Sequence, residues 1–245
     1  MNNPTTPAPP PMEAATVVVA RNVTHGIEVL MLRKNSKIHF GGMWVFPGGK
    51  VDHADADAQS GDPFVRFRNA ATREAEEEAG IRLDGSALVH FSHWLPPPVR
   101  PVRFSTHFFI AAAPPDLADV EIDGGEITAY KWMNATEALE RRHRGEIEVV
   151  TPTFVTLDWL RRFTSVNDAI ASIQAPIDYH THIISTDNGN IAFYAGDVAY
   201  DSLDPTQPGP RRRANMFNDG WWWEEHDGNG TGPATQPLDF ATSAR

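Results

Sequence analysis

The stretch Arg73-Glu74-Ala75-Glu76-Glu77-Glu78-Ala79-Gly80-Ile81 decides how the chain is read. The apolar residues Phe64, Phe67, Ala71, Ala75 and Ala79 recur at spacings of three and four, which predicts a helix over 64–79 with Gly80 as its stop. On such a helix Glu74, Glu77 and Glu78 stand at i, i+3 and i+4, so their carboxylates share one face. Like charges at that spacing destabilise an isolated helix by a few tenths of a kcal/mol. A hard divalent cation among them removes the repulsion; magnesium and manganese favour carboxylate oxygens and keep positions open for water and phosphate. For a Glu-rich helix taken alone, a solvated face or a simple Arg73–Glu77 ion pair competes with that reading.

Upstream of the helix, residues 43–46 read as a short strand halted by Pro47-Gly48-Gly49. Before it, two β-branched runs within 15–33 flank a His25-Gly26 turn and predict a hairpin. Downstream, strands are predicted at 88–95, 103–113 and 127–133, the first two separated by Pro96-Pro97-Pro98. Asn134 then N-caps a helix with Glu137 three residues on, and helices follow at 152–163 and 166–174. The order is a mixed α/β layout. Two strand-like pieces, 177–185 and 190–194, come after Pro176, and the rest is rich in Pro, Gly, Asn and Asp around Trp221-Trp222-Trp223. Residues 1–14 therefore read as a disordered tail, 15–175 as the principal domain, and 176–245 as an extension packed on it with a flexible end.

Composition limits the function classes. The chain has 245 residues, 41% of them hydrophobic, enough for a sizeable core. A formal charge of −11 argues against a nucleic-acid backbone binder but not against anionic small molecules, because divalent cations bridge carboxylates to phosphates. Cysteine is absent, which excludes disulfides, thiolate zinc sites and cysteine nucleophiles. No run approaches the ~18 apolar residues of a membrane helix, and the first fifteen residues lack a signal-peptide pattern. No membrane partner is expected, and the cytoplasm is the expected compartment.

Arg73, Glu74, Glu77, Glu78, Gly80 and Ile81, with Ala75 as a small apolar residue and Gly48-Gly49 upstream, resemble the second half of the Nudix box, G-x5-E-x7-R-E-U-x-E-E-x-G-U with U bulky and apolar. The first half departs from it: Asp55 stands where Glu is expected, and seventeen residues rather than seven separate it from Arg73. Phe46 through Asp55 followed by that insertion, Trp94-Leu95-Pro96 before the Arg103–Phe109 segment, and Gly124-Gly125-Glu126 before Trp132 are similar to the coenzyme A diphosphatase branch, peroxisomal type, and its bacterial relatives. The resemblance covers about residues 15–165 and implies a Nudix α/β/α sandwich with a mixed sheet.

It also implies a metal-dependent hydrolase of a pyrophosphate bond in a nucleoside diphosphate linked to another moiety, with coenzyme A or an acyl-coenzyme A favoured. ADP-ribose, NADH or another dinucleotide is the alternative substrate, and a non-catalytic nucleotide sensor the alternative class. By resemblance Glu74, Glu77 and Glu78 are metal ligands for Mg²⁺, with Mn²⁺ a substitute; Glu74 and Glu78 act in catalysis, and Arg73 orients the glutamates without touching substrate. Gly48 and Gly49 bring backbone close to the metals and substrate. Glu126 is a candidate general base, with an ordinary acidic turn residue as the competing reading. A small-molecule nucleotide is the expected partner, and a homodimer stays open.

Other signals carry less. Gly49-Lys50 fails as a P-loop because Trp44 and Val51 stand where Gly and Ser/Thr are needed. His180 and His182 share a strand face as a zinc-like pair, yet the sequence offers no third ligand beside them, and His90, His93 and His107 have no partner at metal or triad spacing. Arg100 and Arg103 are candidate phosphate contacts, and Ser36 lies where coenzyme A-type members carry a related motif. Trp221–Trp223 either stacks on a ligand or anchors the extension. Arg211-Arg212-Arg213 is too short a basic patch for nucleic acid.

Overall fold

The computed structural model describes residues 9–37, 40–98, 102–117 and 119–228. Strands β1 (Met12–Val23) and β2 (Gly26–Lys34) form the predicted hairpin, with β3 (Trp44–Val45) and β4 (Gly48–Lys50) following. Helix α1 (Val65–Ala79) leads to β5 (Val89–Leu95), β6 (Phe104–Ala112) and β7 (Ile127–Asn134). Three helices come next, α2 (Ala135–His143), α3 (Thr151–Leu160) and α4 (Val166–Ala171), and then β8 (Ile177–His180). The remaining strands are β9 (His182–Thr186), β10 (Gly189–Phe193), β11 (Arg211–Phe217) and β12 (Gly220–His226).

β1 through β8 make one mixed eight-stranded sheet, with path β3-β2-β1-β6-β5-β8, β4 joined to β1 and β7 to β2. β1 runs parallel to β6, and β5 parallel to β8; the other pairs are antiparallel. Both faces are covered, which is why Val17, Val18, Val19 and Ala20 are all buried rather than alternating. Ala15, Val17 and Val19 pack with Ala71, Ala75 and Ala79 of α1 on one face. Val18 and Ala20 face α2, α3 and α4 together with the last strands on the other. This is the expected α/β/α sandwich. No helix among the described residues is long and apolar enough to cross a membrane.

Three sequence-based boundaries are corrected. Residues 12–14 are not tail: β1 begins at Met12 and pairs with Phe104 across β6. Positions 1–8 and 229–245, expected as disordered tail and flexible end, lie outside the described residues. The run 177–185 is not one strand but two in different sheets, β8 closing the main sheet beside β5 and β9 opening a second. The Pro/Gly-rich region after 204 contains β11 and β12, so the extension is a four-stranded antiparallel meander, β12-β11-β10-β9.

Charge hid β11 and β12 from hydrophobic patterning, because each Arg of the triplet finds an acid. Arg211 and Arg212 stand 3.7 Å from Glu224 and 3.3 Å from Glu225. Arg213 and Asp197 form a buried pair at 2.6 Å. Strand alternation sends Trp221 and Trp223 toward the main sheet and Trp222 away from it. Trp223 packs on Tyr179 and Tyr194, Trp221 against Phe154 and under the Arg142 guanidinium at 3.6 Å, and Trp222 against Phe217.

Candidate active site

β4 carries Gly49 beneath α1. Antiparallel pairing sets Gly49 opposite Ala15 and Gly48 opposite Thr16, and α1 lies over this edge with its alanine stripe facing β1. The stripe lets helix and sheet approach closely, which presses Glu74 onto β4. A Cβ added at Gly49 would stand 2.3 Å from the Glu74 carboxylate oxygen, so only glycine leaves that acid its place. The Gly48 N–H donates to Glu78 Oε2 at 2.9 Å. Gly80, at φ 68°, ends the helix in the left-handed region.

The three predicted metal ligands are not equivalent. Glu78 is 4% exposed, while the Glu77 side chain is 59% exposed and bonds Arg73 at 3.0 Å. Glu74 and Glu78 therefore face the β4 backbone, and Glu77 sits at the rim. The loop before β7 brings in Glu126: its N–H and that of Ile127 donate to Asp123, and Asn35 ties the loop to the end of β2 through bonds to Glu126 O and Gly125 O.

Lys34, which sequence reasoning missed, connects these acids. Its ammonium lies 2.6 Å from Glu78 Oε1 and 3.3 Å from Glu126 Oε2. Burial pushes the Glu78 carboxyl up to about 7, against the pull of Lys34. Burial also holds Glu74 above its ordinary value, against Arg73. Burial alone would lower Lys34, but Glu78 and then Glu126 hold it above its usual range. Lys34 is the last residue of β2, and its strand position carries no local signal; the pairing of β2 with β7 brings it to Glu126, and the packing of α1 on the sheet brings it to Glu78.

Arg73 spans the base of the site. It donates to both oxygens of Asp55 at 3.0 Å, to Glu74 at 2.9 Å and to the Lys50 carbonyl at 2.9 Å. Asp55, ahead of Glu74, holds the guanidinium above its ordinary value. Asp55 is itself 4% exposed and accepts the Asp52 N–H, so this position fixes the Gly-Gly segment to the helix through Arg73. The insertion forms a loop between Asp55 and α1.

Arg103 is not brought to the acids. It donates to the Pro9 carbonyl, and its strand register places it four residues, about 13 Å, along the sheet from Gly49. Arg100 lies outside the described residues. His90 and His107 bond each other at 3.0 Å beneath Phe64 and Phe67. Burial, then His93, pushes His107 down to about 3, a neutral packing role. A cavity of about 450 Å³ lined by Phe91, Trp94, Trp159, Tyr179 and Trp223 opens on the opposite face of the sheet, away from the glutamates.

A divalent cation fits the acidic site on two counts. The donors facing it are all oxygens of acids on α1 and the β7 loop, the set that hard cations choose. The Lys34 ammonium already stands between Glu78 and Glu126 as an internal cation.

A two-sided mixed sheet, with paired glutamates pressed against a Gly-Gly strand, defines a Nudix-type domain. The chain belongs to that family: residues 10–154 match the NUDIX domain. It is 33% identical over 140 residues to an octanoyltransferase of Myxococcus xanthus, covering 55% of this chain and 34% of that one. It is 30% identical over 144 residues to the acyl-coenzyme A diphosphatase NUDT19 of Xenopus laevis, covering 54% and 37%. The chain thus spans little more than a third of the length of these curated relatives. A NUDIX hydrolase from Alicyclobacillus acidocaldarius overlays with a TM-score of 0.60 at 25% identity, covering 67% of this chain and 97% of that one. The family match ends within α3, so the β9–β12 meander lies beyond it.

Proposed function

We propose that this chain hydrolyses the pyrophosphate bond of a nucleoside diphosphate linked to another moiety, with coenzyme A or an acyl-coenzyme A as first substrate. The observation that carries the reading is the meeting of Glu78 and Glu126 at Lys34, with Glu74 pressed on the Gly49 backbone and the Gly48 N–H on Glu78. Coenzyme A comes first because the Xenopus relative is named for that substrate class. Glu74 and Glu78 would hold Mg²⁺ or Mn²⁺, with Glu77 contributing only from the rim. Bound there, the cation supplies charge neutralisation at the phosphates and activation of water.

The chain's own groups do the rest. Arg73, locked by Asp55, keeps Glu74 in place. Glu126, 64% exposed at the mouth, would accept a proton from water, and Lys34 would meet phosphate oxygens. Action in the cytoplasm belongs to the same reading.

The test is a substrate panel of coenzyme A, acyl-coenzyme A, NADH, ADP-ribose and diadenosine polyphosphates with Mg²⁺ and Mn²⁺. Metal-dependent release of a nucleotide half-product from a coenzyme A compound is the expected result. Release only from a dinucleotide would replace the substrate. Tight nucleotide binding with no product at saturating metal would replace the enzyme with a sensor.

A further inference from the structure

The row of paired residues Gly49, Ala15, His107, His93 and Asp178 crosses the sheet from β4 to its far edge at β8. It ends in a second group of polar side chains, three strand spacings or about 14 Å from Gly49 to His93. Asp178 and His180 stand at i and i+2 on β8, hence on one face, and His93 lies opposite Asp178 on β5. One donor atom from each of the three lies within 4.8 Å of the others. Sequence reasoning weighed His180 with His182 and found no third ligand, because His93 comes from another strand, 85 residues before Asp178. His182, the first residue of β9, instead bonds the Tyr200 carbonyl and stacks on the Tyr200 ring in the loop after β10.

We propose that His93, Asp178 and His180 bind a transition-metal dication of the zinc class, which clips β8 to β5. Two imidazoles and a carboxylate form a borderline donor set that suits Zn²⁺ and leaves a fourth position for water, whereas Mg²⁺ prefers oxygen alone. His93 Nδ1 lies 3.0 Å from Asp178 Oδ1, close to the about 3.3 Å between neighbouring ligands of a tetrahedral zinc ion. Rotation of the exposed Asp178 and His180 side chains closes the remaining gap. The other His93 nitrogen meets Ser105 Oγ at 2.7 Å, and the ring stacks on His107 at 4.3 Å. That is the outer support by which ligating imidazoles are usually oriented. β8 is the edge strand of the main sheet and runs straight into β9, so an ion here fastens the meander to the Nudix domain without using the glutamates.

The test uses the full chain, stripped with chelator and returned to saturating Mg²⁺ so that the carboxylate site is filled. Added Co²⁺ should give intense tetrahedral visible bands at one equivalent, and Zn²⁺ should abolish them and raise Tm. His180→Ala, which removes an exposed side chain, should lose both signals, and Ser105→Ala should weaken Zn²⁺ about 10–100-fold. Only weak octahedral Co²⁺ absorption, or the same bands and Tm rise in His180→Ala, would reduce the cluster to a His93–Asp178 ion pair and overturn the site. None of these readouts depends on turnover, so they stand or fall apart from the proposed hydrolysis.

Discussion

Lys34 and Glu78, 44 residues apart in sequence, meet at 2.6 Å inside the acidic cleft. The ammonium serves as counter-ion to an acid that burial would otherwise protonate, and a metal entering the cleft must compete with it. Lys34→Met keeps the stem and removes the charge, so at alkaline pH, where Glu78 is ionised without it, Mg²⁺ should bind at least tenfold more tightly, about 1.4 kcal/mol. Turnover should fall because the phosphates lose a cationic partner. Calorimetric titration with Mg²⁺ checks the first half; equal or weaker binding would show that Lys34 does not occupy the cation's place.

Glu77 and Glu78 are neighbours with opposite surroundings. Glu78→Gln should lower metal-dependent kcat by about 100-fold or more, at least 2.7 kcal/mol of transition-state stabilisation. Glu77→Gln, altering an exposed carboxylate at the rim, should cost less than about tenfold. Steady-state kinetics on both, with circular dichroism to confirm folding, decides the matter. Equal losses would return Glu77 to the centre of the site.

Gly49→Ala places a methyl group where the Glu74 carboxylate sits. The obstructed atoms are the tip of a flexible side chain, so Glu74 swings aside and Tm changes by only a few degrees. Mg²⁺ affinity should nonetheless fall at least tenfold, about 1.4 kcal/mol. Unchanged affinity, measured by titration, would mean that the close approach of β4 to α1 has no bearing on the metal.

The site was legible where its determinants are local. Helical spacing placed Glu74, Glu77 and Glu78 on one helix, and the Gly-Gly pair marked where backbone comes close to them, although it forms strand β4 and not the expected turn. What separates Glu78 from Glu77 is tertiary: Glu78 meets the Gly48 N–H and Lys34, whereas Glu77 keeps the local i, i+4 bond to Arg73. Lys34 itself depends on pairing across β2 and β7, which no short window of sequence reports. Strands β11 and β12 were missed for a similar reason. β11 opens with three arginines, and hydrophobic patterning cannot register a strand whose charges are cancelled by Asp197, Glu224 and Glu225.

Asp197 should make the extension acid-sensitive. Burial alone would raise its carboxyl, but the Arg213 fork and the N–H groups of Arg212 and Ala199 hold it below its ordinary 3.8. A carboxylate depressed in the folded state adds stability above its unfolded value, and that stability is lost as pH falls through the lower folded value. Asp197→Asn leaves Arg213 buried and uncompensated, a loss of about 3–5 kcal/mol near neutrality. The gap between variant and parent should narrow below pH 3.8. Urea melts at several pH values give the comparison; a constant gap would show that the pair adds nothing through ionisation.

Trp223 links the meander to the Nudix sheet, since it is 2% exposed and shares a core with Val18, Ile110, Phe154 and Tyr179. Because that core is continuous, the two sheets should unfold together, and Trp223→Ala should cost about 3–5 kcal/mol by opening a cavity between them. For a chain of this size that corresponds to a fall in Tm of roughly 6–20 °C. Trp222→Ala, on the far face of the same strand, should cost less, because it loses contact with Phe217 and not with the shared core. Differential scanning calorimetry distinguishes the cases. A single transition that moves down in Trp223→Ala supports one cooperative unit. A separate early transition in the parent protein, with the main one unmoved by the substitution, would make the meander an independent unit resting on the Nudix domain.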